Sequence, residues 1–163
     1  MSKAFTKEGD EGEEALPDYQ PPWPPGSRNY VTPAGYARLR AERESLLAQI
    51  QAPEAKLPAA AGTTREARRR LAIVGQHLDA AEIVEPVSAP TQVQFGTTVK
   101  VSGERERSYS IVGVDEVDAA SGRVSWLSPI ARALLGRKVG DQVVLRSPRG
   151  EEDVVVVAVT PLA

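Results

Sequence analysis

The sequence contains no cysteine, a single histidine and a low share of aromatic residues, 5%. Without cysteine the chain forms no disulfide bonds, offers no thiolate ligands for zinc and has no cysteine nucleophile. The histidine, His77, has no second histidine near it and cannot anchor a metal site. Serine residues without a histidine arrangement give no support to a hydrolytic triad. The sequence also lacks a phosphate-cradling loop and a dinucleotide-binding fingerprint, so we expect neither a metal nor a cofactor.

Long apolar runs are missing as well. No stretch approaches the ~20 apolar residues that span a bilayer. The acidic, polar start "MSKAFTKEGDEGEE" does not have the pattern of a secretory signal. We therefore expect a cytoplasmic protein without a membrane partner.

The chain has no excess of basic residues, because its formal net charge is −2. Residues 1–30 hold three basic and six acidic side chains, residues 31–86 eight and seven, and residues 87–163 nine of each. No segment is basic enough to predict nucleic-acid binding by itself. With 41% hydrophobic and 26% charged residues, the composition is that of a globular protein with a flexible portion.

The flexible portion is predicted at the start of the chain. An acidic stretch up to Asp18 leads into "PPWPP", in which four prolines surround Trp23 and favour an extended path. We predict that residues 1–28 form a disordered, acidic and proline-rich leader. A proline-rich ligand for a small adaptor domain is the alternative interpretation.

A first helix is predicted from "YVTPAGYARLRAERESLLAQI". Thr32 is a good N-cap, and Pro33 suits the first helical position. Apolar residues recur at helical spacing and define one face: Tyr36, Leu39, Leu46 or Leu47, and Ile50. The helix should end near Ala52, because Pro53 disfavours helical backbone in the residue before it.

A second helix of similar length is predicted after the turn "APEAKLPAAAGTT". Thr63 and Glu66 have the spacing of a capping box, although Thr64 could equally be the cap. The apolar seam alternates spacings of four and three and comprises Ala67, Leu71, Val74, Leu78 and Ala81. Such a seam predicts an antiparallel helical hairpin over residues 29–86, a short coiled coil with arms of ~18 residues and about 27 Å.

The pattern changes to strands from about Gln92 onward. The runs "VQFGTTVKV", "SYSIVGV", "GRVSWL", "DQVVLRS" and "EDVVVVAV" are rich in β-branched residues and are separated by turn residues. One short helix interrupts them at "SPIARALLG", with Ser128 as its cap and Pro129 first. We therefore predict a β domain with one short helix over residues 87–163.

Several blocks of this sequence resemble the bacterial Gre transcript-cleavage factors, GreA and GreB, and the GreB branch in particular. In the β domain they are "FGTTVKV", "YSIVGVDEVD", "SPIARALLGRKVGDQVV" and "SPRG". In the remainder they are "MSKAFTKE", "NYVTPAGYARLRAE" and "LDAAEIVEP". The resemblance covers nearly the whole chain except the middle of the hairpin, and the blocks occur in the family's order.

The resemblance implies an α+β fold, in which an N-terminal antiparallel helical hairpin precedes an FKBP-like antiparallel β domain. It also implies a partner, since Gre factors bind bacterial RNA polymerase at the rim of its secondary channel. In that family, acidic residues at the hairpin tip help to hold a magnesium ion and water, so that the polymerase cuts backtracked RNA. Hard oxygen ligands suit that chemistry.

This sequence departs from the family at the hairpin tip. The turn contains one carboxylate, Glu54, two residues before Lys56, and it has no paired aspartate and glutamate. The hairpin is also several turns shorter than the family requires to reach the polymerase's active centre. We therefore expect no classical stimulation of transcript cleavage.

The resemblance also assigns a docking patch on the β domain. Its members are Asp115, Glu116, Ser128, Pro129, Ile130 and Arg132. The alternative interpretation is structural: Asp115 would form a turn, Ser128 would cap the short helix, and Ile130 would fill the core.

A basic cluster in the hairpin is the second candidate. Arg65, Arg68 and Arg69 point mainly away from the seam. In the family, a basic patch on the hairpin contacts the displaced RNA end. The favoured alternative is a solvated helix face that is partly paired with acids, and such surface pairs contribute only ~0–1 kcal/mol.

These expectations define a monomeric, non-enzymatic regulator that contacts nascent RNA only within the polymerase complex. One rival is weak cleavage stimulation through Glu54 as a lone metal-assisting acid. Another is a prolyl isomerase, because the family's β domain resembles that of the FKBP isomerases. Fold alone does not confer that activity, and the domain has few aromatic residues for a pocket.

Overall fold

A computed structural model describes residues 19–163, which form a helical hairpin followed by a five-stranded sheet. Residues 1–18, and with them most of the predicted leader, lie outside the described residues. The order of elements matches the predicted α+β fold. None of the helices in the described part of the chain is long and apolar enough to cross a membrane.

The hairpin consists of α1 (Pro33–Gln51) and α2 (Ala61–Asp79), which have 19 residues each. The predicted start and end of α1 are confirmed: the Thr32 side chain accepts a hydrogen bond from Gly35 N, and Ala52 is the C-cap. The tip between the helices forms two short 3-10 helices, Pro53–Lys56 and Pro58–Ala60. The arms therefore have about the predicted length.

The predicted capping box at the start of the second helix is wrong. The helix begins at Ala61, directly after the 3-10 turn that Pro58 starts. Thr63 therefore already lies in the first helical turn, and its hydroxyl donates to the Ala60 carbonyl at 2.9 Å. Thr64 is not the cap either, since its hydroxyl donates to the Ala55 carbonyl across the tip.

The base of the hairpin contains a small sheet that the sequence did not predict. Strand β1 (Asn29–Val31) leads into α1, strand β2 (Ala81–Ile83) follows α2, and the two strands pair in parallel. Val31, Leu39 and Val74 form the buried cluster of the hairpin. Ala81, predicted as the last residue of the helical seam, therefore lies in a strand that packs against this cluster.

The second part of the chain is a sheet with strand order β5-β4-β3-β7-β6. Its strands are β3 (Thr97–Ser102), β4 (Glu106–Val112), β5 (Arg123–Ser125), β6 (Gln142–Ser147) and β7 (Gly150–Pro161). All neighbours are antiparallel except β4 and β5, which are parallel, so the sheet is mixed and the antiparallel prediction is wrong at this edge. The reason is that residues 113–122 form two short 3-10 helices instead of a tight hairpin turn.

The short helix α3 (Pro129–Leu134) has the predicted cap. Ser128 Oγ accepts a hydrogen bond from Ala131 N at 3.1 Å, and Pro129 is the first helical residue. Ala131 and Leu134 are fully buried in the domain core with valines of the sheet, and Ile130 packs beside them. The core therefore fixes α3 in position.

Residues 19–28, predicted as the end of a disordered leader, contact the hairpin through two aromatic side chains, while most of their other side chains are exposed. Trp23 is only 9% exposed, and its ring meets the ring of His77 edge-on at 4.8 Å between centroids. The Tyr19 hydroxyl is hydrogen-bonded to His77 Nε2. The prediction failed here because both aromatic partners lie far from His77 in sequence. We call residues 19–28 the strap.

Candidate functional site

The predicted docking patch divides into two groups of residues with different environments. Ser128, Pro129, Ile130 and Arg132 lie at α3, near the surface of the sheet domain. Asp115 and Glu116 lie in a 3-10 helix between the sheet domain and the base of the hairpin. The six residues therefore do not form one exposed patch.

The α3 group presents two side chains to solvent. Pro129 and Arg132 are exposed, whereas Ser128 and Ile130 are partly buried. The Ser128 hydroxyl is used as the helix cap, and Ile130 packs against the core. Each of these two residues therefore has the structural role of the alternative interpretation, while Pro129 and Arg132 remain available to a partner.

Glu116 is a buried carboxylate that fixes the start of α1. Its side chain has no solvent exposure. Oε2 accepts hydrogen bonds from Thr32 N at 3.0 Å and Gly113 N at 3.2 Å, and the Thr32 hydroxyl donates to Oε1. Arg38 and Arg123 place guanidinium nitrogens 3.7 and 3.6 Å from Oε1. Glu116 therefore lacks the surface position that its predicted docking role assumed, because its acceptor atoms hold the two parts of the chain together; the docking role itself stays a prediction.

Asp115 is also engaged at this junction. Its side chain is 11% exposed, and it accepts hydrogen bonds from Asn29 Nδ2 at 3.1 Å and from His77 Nδ1 at 2.6 Å. Burial alone raises the pKa of Asp115, but the hydrogen bonds from His77 and Asn29 and the charge of His77 outweigh it and lower the pKa. Asp115 therefore has a structural role at the junction, and its docking role stays a prediction.

His77 lies at the centre of the same junction and is 5% exposed. One ring nitrogen is hydrogen-bonded to Asp115 and the other to Tyr19. His77 therefore connects α2 with both the sheet domain and the strap. We call His77, Asp115, Glu116, Asn29 and Thr32 the junction cluster. Sequence analysis missed it because no local pattern brings together residues from three distant segments; the lone histidine next to the helical seam was the available signal.

Close approach at the junction requires glycine at position 35. Gly35 lies in the first turn of α1, and a Cβ atom added there would lie 2.6 Å from Glu116 Oε1. Since Glu116 is held by several hydrogen bonds, it has little room to move. The junction cluster therefore depends on the absence of a side chain at Gly35.

The basic cluster lies on the arm of the hairpin, away from α3. Arg65, Arg68 and Arg69 are exposed, and none of them forms an ion pair with another residue in the 19–163 range. The neighbouring Arg70 differs, since it binds the Glu42 carboxylate through Nε at 2.6 Å and an Nη atom at 3.0 Å. Three guanidinium groups are therefore open to an anionic partner.

The hairpin tip carries the lone carboxylate Glu54, which is exposed, beside the exposed Lys56. Within residues 19–163, no group of three or more histidine, cysteine, aspartate or glutamate residues is arranged to hold a metal ion. The tip thus offers one hard oxygen ligand next to a positive charge.

The fold and these surfaces define a two-part protein, in which a helical hairpin is fixed to a small mixed sheet by buried polar contacts. Residues 88–161 match the family model described as "Transcription elongation factor, GreA/GreB, C-term". The chain is 36% identical over 153 residues to transcription elongation factor GreB of Neisseria meningitidis serogroup B, covering 82% of this chain and 94% of that protein. The chain therefore belongs to the GreA/GreB family of transcription elongation factors, and the predicted resemblance is confirmed.

Other members of the family are similar over parts or most of the chain. Transcription elongation factor GreA of Thioalkalivibrio sulfidiphilus is 41% identical over 95 residues, which covers 55% of this chain and 60% of that protein. The crystal structure of GreA factor homolog 1 (Gfh1) of Thermus thermophilus is 25% identical with a TM-score of 0.40, covering 81% of this chain and 98% of that one.

Proposed function

We propose that this Gre-family protein binds bacterial RNA polymerase at the rim of the secondary channel through its sheet domain, without stimulating transcript cleavage. Its hairpin occupies the channel entrance and competes there with relatives that do stimulate cleavage. The protein acts in the cytoplasm as a monomer and is not itself an enzyme. It meets nascent RNA only inside the polymerase complex.

The chemistry of the hairpin tip carries this proposal. Residues 52–60 contain the single carboxylate Glu54, next to the ammonium group of Lys56 and between Pro53 and Pro58. A magnesium ion takes oxygen ligands in near-octahedral geometry, chiefly carboxylates, phosphates and water. One exposed carboxylate beside a cation is a poor ligand set, so the tip lacks the acid pair that the family resemblance associates with cleavage.

The length of the hairpin supports the same conclusion. Each arm has 19 residues, or about 28 Å at ~1.5 Å per residue. The alignment with the Neisseria GreB has 153 positions but takes in 82% of the 163 residues here, about 134, so that relative has about 19 residues more within the aligned span. If those residues lie in the two helical arms, each arm of that relative is longer by roughly 14 Å.

The α3 surface supports the docking part of the proposal. Ser128 fixes the first turn of the helix, and Leu134 is fully buried beneath it. Pro129 and Arg132 therefore project from a helix that is already ordered. Binding through such residues loses little conformational entropy, which favours affinity.

The direct test uses purified RNA polymerase halted in a backtracked complex. The protein is titrated alone, and then against a cleavage-stimulating GreB, while the shortened transcript is measured. We expect no cutting by this protein alone and a dose-dependent loss of the cutting that GreB stimulates. Transcript cleavage by the protein alone at stoichiometric amounts would overturn the proposal.

Two exposed arginines of the sheet domain provide a test position and a matched control for the docking surface. Arg132 lies in α3, and Arg149 lies in the turn between β6 and β7. We expect Arg132→Ala to weaken the competition about tenfold, the effect of losing ~1.4 kcal/mol at a contact residue. Arg149→Ala should leave competition unchanged. Equal effects of the two substitutions would place the docking surface elsewhere.

The rival activities are tested with the same material. If Glu54 is a metal-assisting acid, cutting is present in the unchanged protein and lost in Glu54→Gln. A peptide isomerisation assay measures whether the sheet domain is a prolyl isomerase. We expect no activity in either assay.

A further inference from the structure

The two aromatic side chains of the strap converge on one residue of the hairpin, His77. The Tyr19 hydroxyl is hydrogen-bonded to His77 Nε2, and the Tyr19 ring lies beside the imidazole with 5.9 Å between centroids. The Trp23 ring meets the same imidazole edge-on at 4.8 Å. Trp23 is 9% exposed, whereas the four prolines around it are exposed. The strap therefore covers the Nε2 side of this imidazole.

The backbone of the strap forms a turn that directs the chain into β1. Ser27 N donates a hydrogen bond to the Pro24 carbonyl at 3.0 Å, and Gly26 has a φ of +78°. Pro25 followed by Gly26 suits a type II turn. Prolines also restrict the open strap, so that closing it costs less conformational entropy. Because most of its side chains are exposed, the strap has few contacts to break and can open without unfolding the hairpin.

The other ring nitrogen of His77 joins α2 to the sheet domain. His77 Nδ1 lies 2.6 Å from Asp115 Oδ1. The start of α1 is anchored to the sheet domain separately, through the hydrogen bonds of Thr32 with Glu116. A hairpin that is anchored at the base of both helices has one orientation, whereas a hairpin anchored at α1 alone can pivot. The bond between His77 and Asp115 therefore controls the orientation of the hairpin.

The two hydrogen bonds of His77 strengthen each other. A carboxylate accepts hydrogen bonds, so a neutral His77 ring carries its proton on Nδ1, and Nε2 accepts from the Tyr19 hydroxyl. Donation to Asp115 makes the ring more electron-rich and Nε2 a better acceptor for Tyr19. His77 is 5% exposed, so water competes little for either bond. By linkage, closing the strap strengthens the Asp115 bond by the same factor.

We propose that the strap is a latch which, when closed on His77, holds the hairpin in one orientation on the sheet domain. Opening of the strap removes the Tyr19 hydroxyl from Nε2 and admits water. The bond from Nδ1 to Asp115 is then weaker, and the hairpin pivots about the anchor at Glu116. Tyr19 and Trp23 are positioning residues that act on the hairpin through His77. The strap thus determines which orientation of the hairpin a partner meets.

Chemical modification of His77 measures how often the strap is open in the full-length chain. Diethyl pyrocarbonate acylates an unprotonated imidazole nitrogen, and the closed strap engages Nε2 with Tyr19 and covers it with Trp23. Since His77 is the single histidine of the chain, peptide mapping assigns modified histidine without ambiguity. The rate is measured at about pH 8, where an ordinary imidazole is neutral.

We expect Tyr19→Phe to raise the rate of His77 modification about tenfold, because one hydrogen bond no longer holds the strap. Tyr36→Phe is the matched control at a tyrosine that packs against the buried cluster of the hairpin, and it should change the rate by less than about twofold. Asp115→Asn should raise the rate about fivefold, because the coupling is reciprocal. A rate that either Tyr19→Phe or Asp115→Asn leaves unchanged would overturn the proposal.

A pair of spin labels measures the orientation of the hairpin directly. Because the chain contains no cysteine, Ala59→Cys at the tip and Arg149→Cys in the β6–β7 turn provide two unique, exposed labelling positions. Dipolar electron spin resonance gives the distribution of distances between the labels. We expect one narrow distribution with the strap unchanged and an about twofold broader one after Trp23→Ala, since the hairpin then pivots.

Gln20→Ala is the control within the strap, because the Gln20 side chain is exposed. It should leave the distance distribution narrow. A distribution that Trp23→Ala does not broaden would contradict the proposal, since the hairpin would then keep its orientation without the closed strap. Neither experiment contains RNA polymerase, so its failure is distinct from failure of the proposed function.

Discussion

The two ends of the helical hairpin use their carboxylates in opposite ways. At the tip, Glu54 is exposed in a short 3-10 turn among prolines and alanines. At the base, Glu116 and Asp115 are buried and accept hydrogen bonds from β1, α2 and the residue that caps α1. The tip, where the family resemblance predicts catalytic acids, therefore has a single exposed carboxylate. The base, which fixes the orientation of the hairpin, is held by several buried hydrogen bonds. The two acids at the base therefore serve to orient the hairpin.

Removing the carboxylate at the base should give the largest effect on stability. Glu116→Ala leaves the N–H groups of Thr32 and Gly113 buried without an acceptor and removes the partner of two arginines. We expect a loss of about 3 kcal/mol in the free energy of unfolding, measured by urea denaturation. Glu54→Ala at the tip is the control and should change it by less than about 0.5 kcal/mol. Similar losses at both ends would remove the distinction between them.

Glycine-to-alanine substitutions should change the free energy of unfolding in opposite directions at the base and at the tip of the hairpin. Gly35→Ala gains helix propensity but pushes its methyl group into Glu116, and we expect a net loss of about 2 kcal/mol. Gly62 lies in the first turn of α2 with no atom within 4 Å of an added Cβ. Gly62→Ala should therefore stabilise by about 0.5 kcal/mol. The midpoints of urea denaturation measure both effects. A Gly35→Ala protein that is more stable than the unchanged protein would show that the Glu116 side chain can move to make room for the methyl group.

The elements that the sequence predicted well are those specified by near neighbours. The Thr32–Pro33 and Ser128–Pro129 starts were correct because a cap and its target N–H lie three residues apart. The strand runs were found because alternating β-branched residues reflect one buried face, as in the burial pattern of β3. Local chemistry is sufficient for such features.

The features that were missed depend on contacts between distant segments. The parallel pairing of β1 with β2 joins two strands of three residues, one before α1 and one after α2, and neither run is long enough to be recognised. Asp115 and Glu116 were assigned to a docking surface through the family resemblance, with a turn as the alternative for Asp115. Only the folded arrangement shows that His77 and Thr32 supply their partners.

The stability that Asp115 contributes at the base of the hairpin should depend on pH in the acid range. Because the pKa of Asp115 is lowered in the folded state, its contribution to stability is fully present above the unfolded value of ~3.9 and is lost as the pH falls through the folded value. We expect the difference in unfolding free energy between the unchanged protein and Asp115→Asn to be at its full size at pH 5 and to shrink below about pH 4. Denaturation in urea across pH 2–6 measures it. A difference that grows toward acid pH would mean that the pKa is raised instead.

The smallest effect is expected midway along the hairpin, where Arg70 binds Glu42 through two nitrogens. The geometry is bidentate, yet both side chains are at least one-third exposed, so solvent competes for each charge. We expect a coupling energy of about 0.5 kcal/mol from the double-mutant cycle of Arg70→Gln and Glu42→Gln, falling at 1 M salt. A coupling near 3 kcal/mol would place this pair with the buried base. Strong polar interactions would then extend from the junction cluster to the middle of the hairpin, and only the tip would lack them.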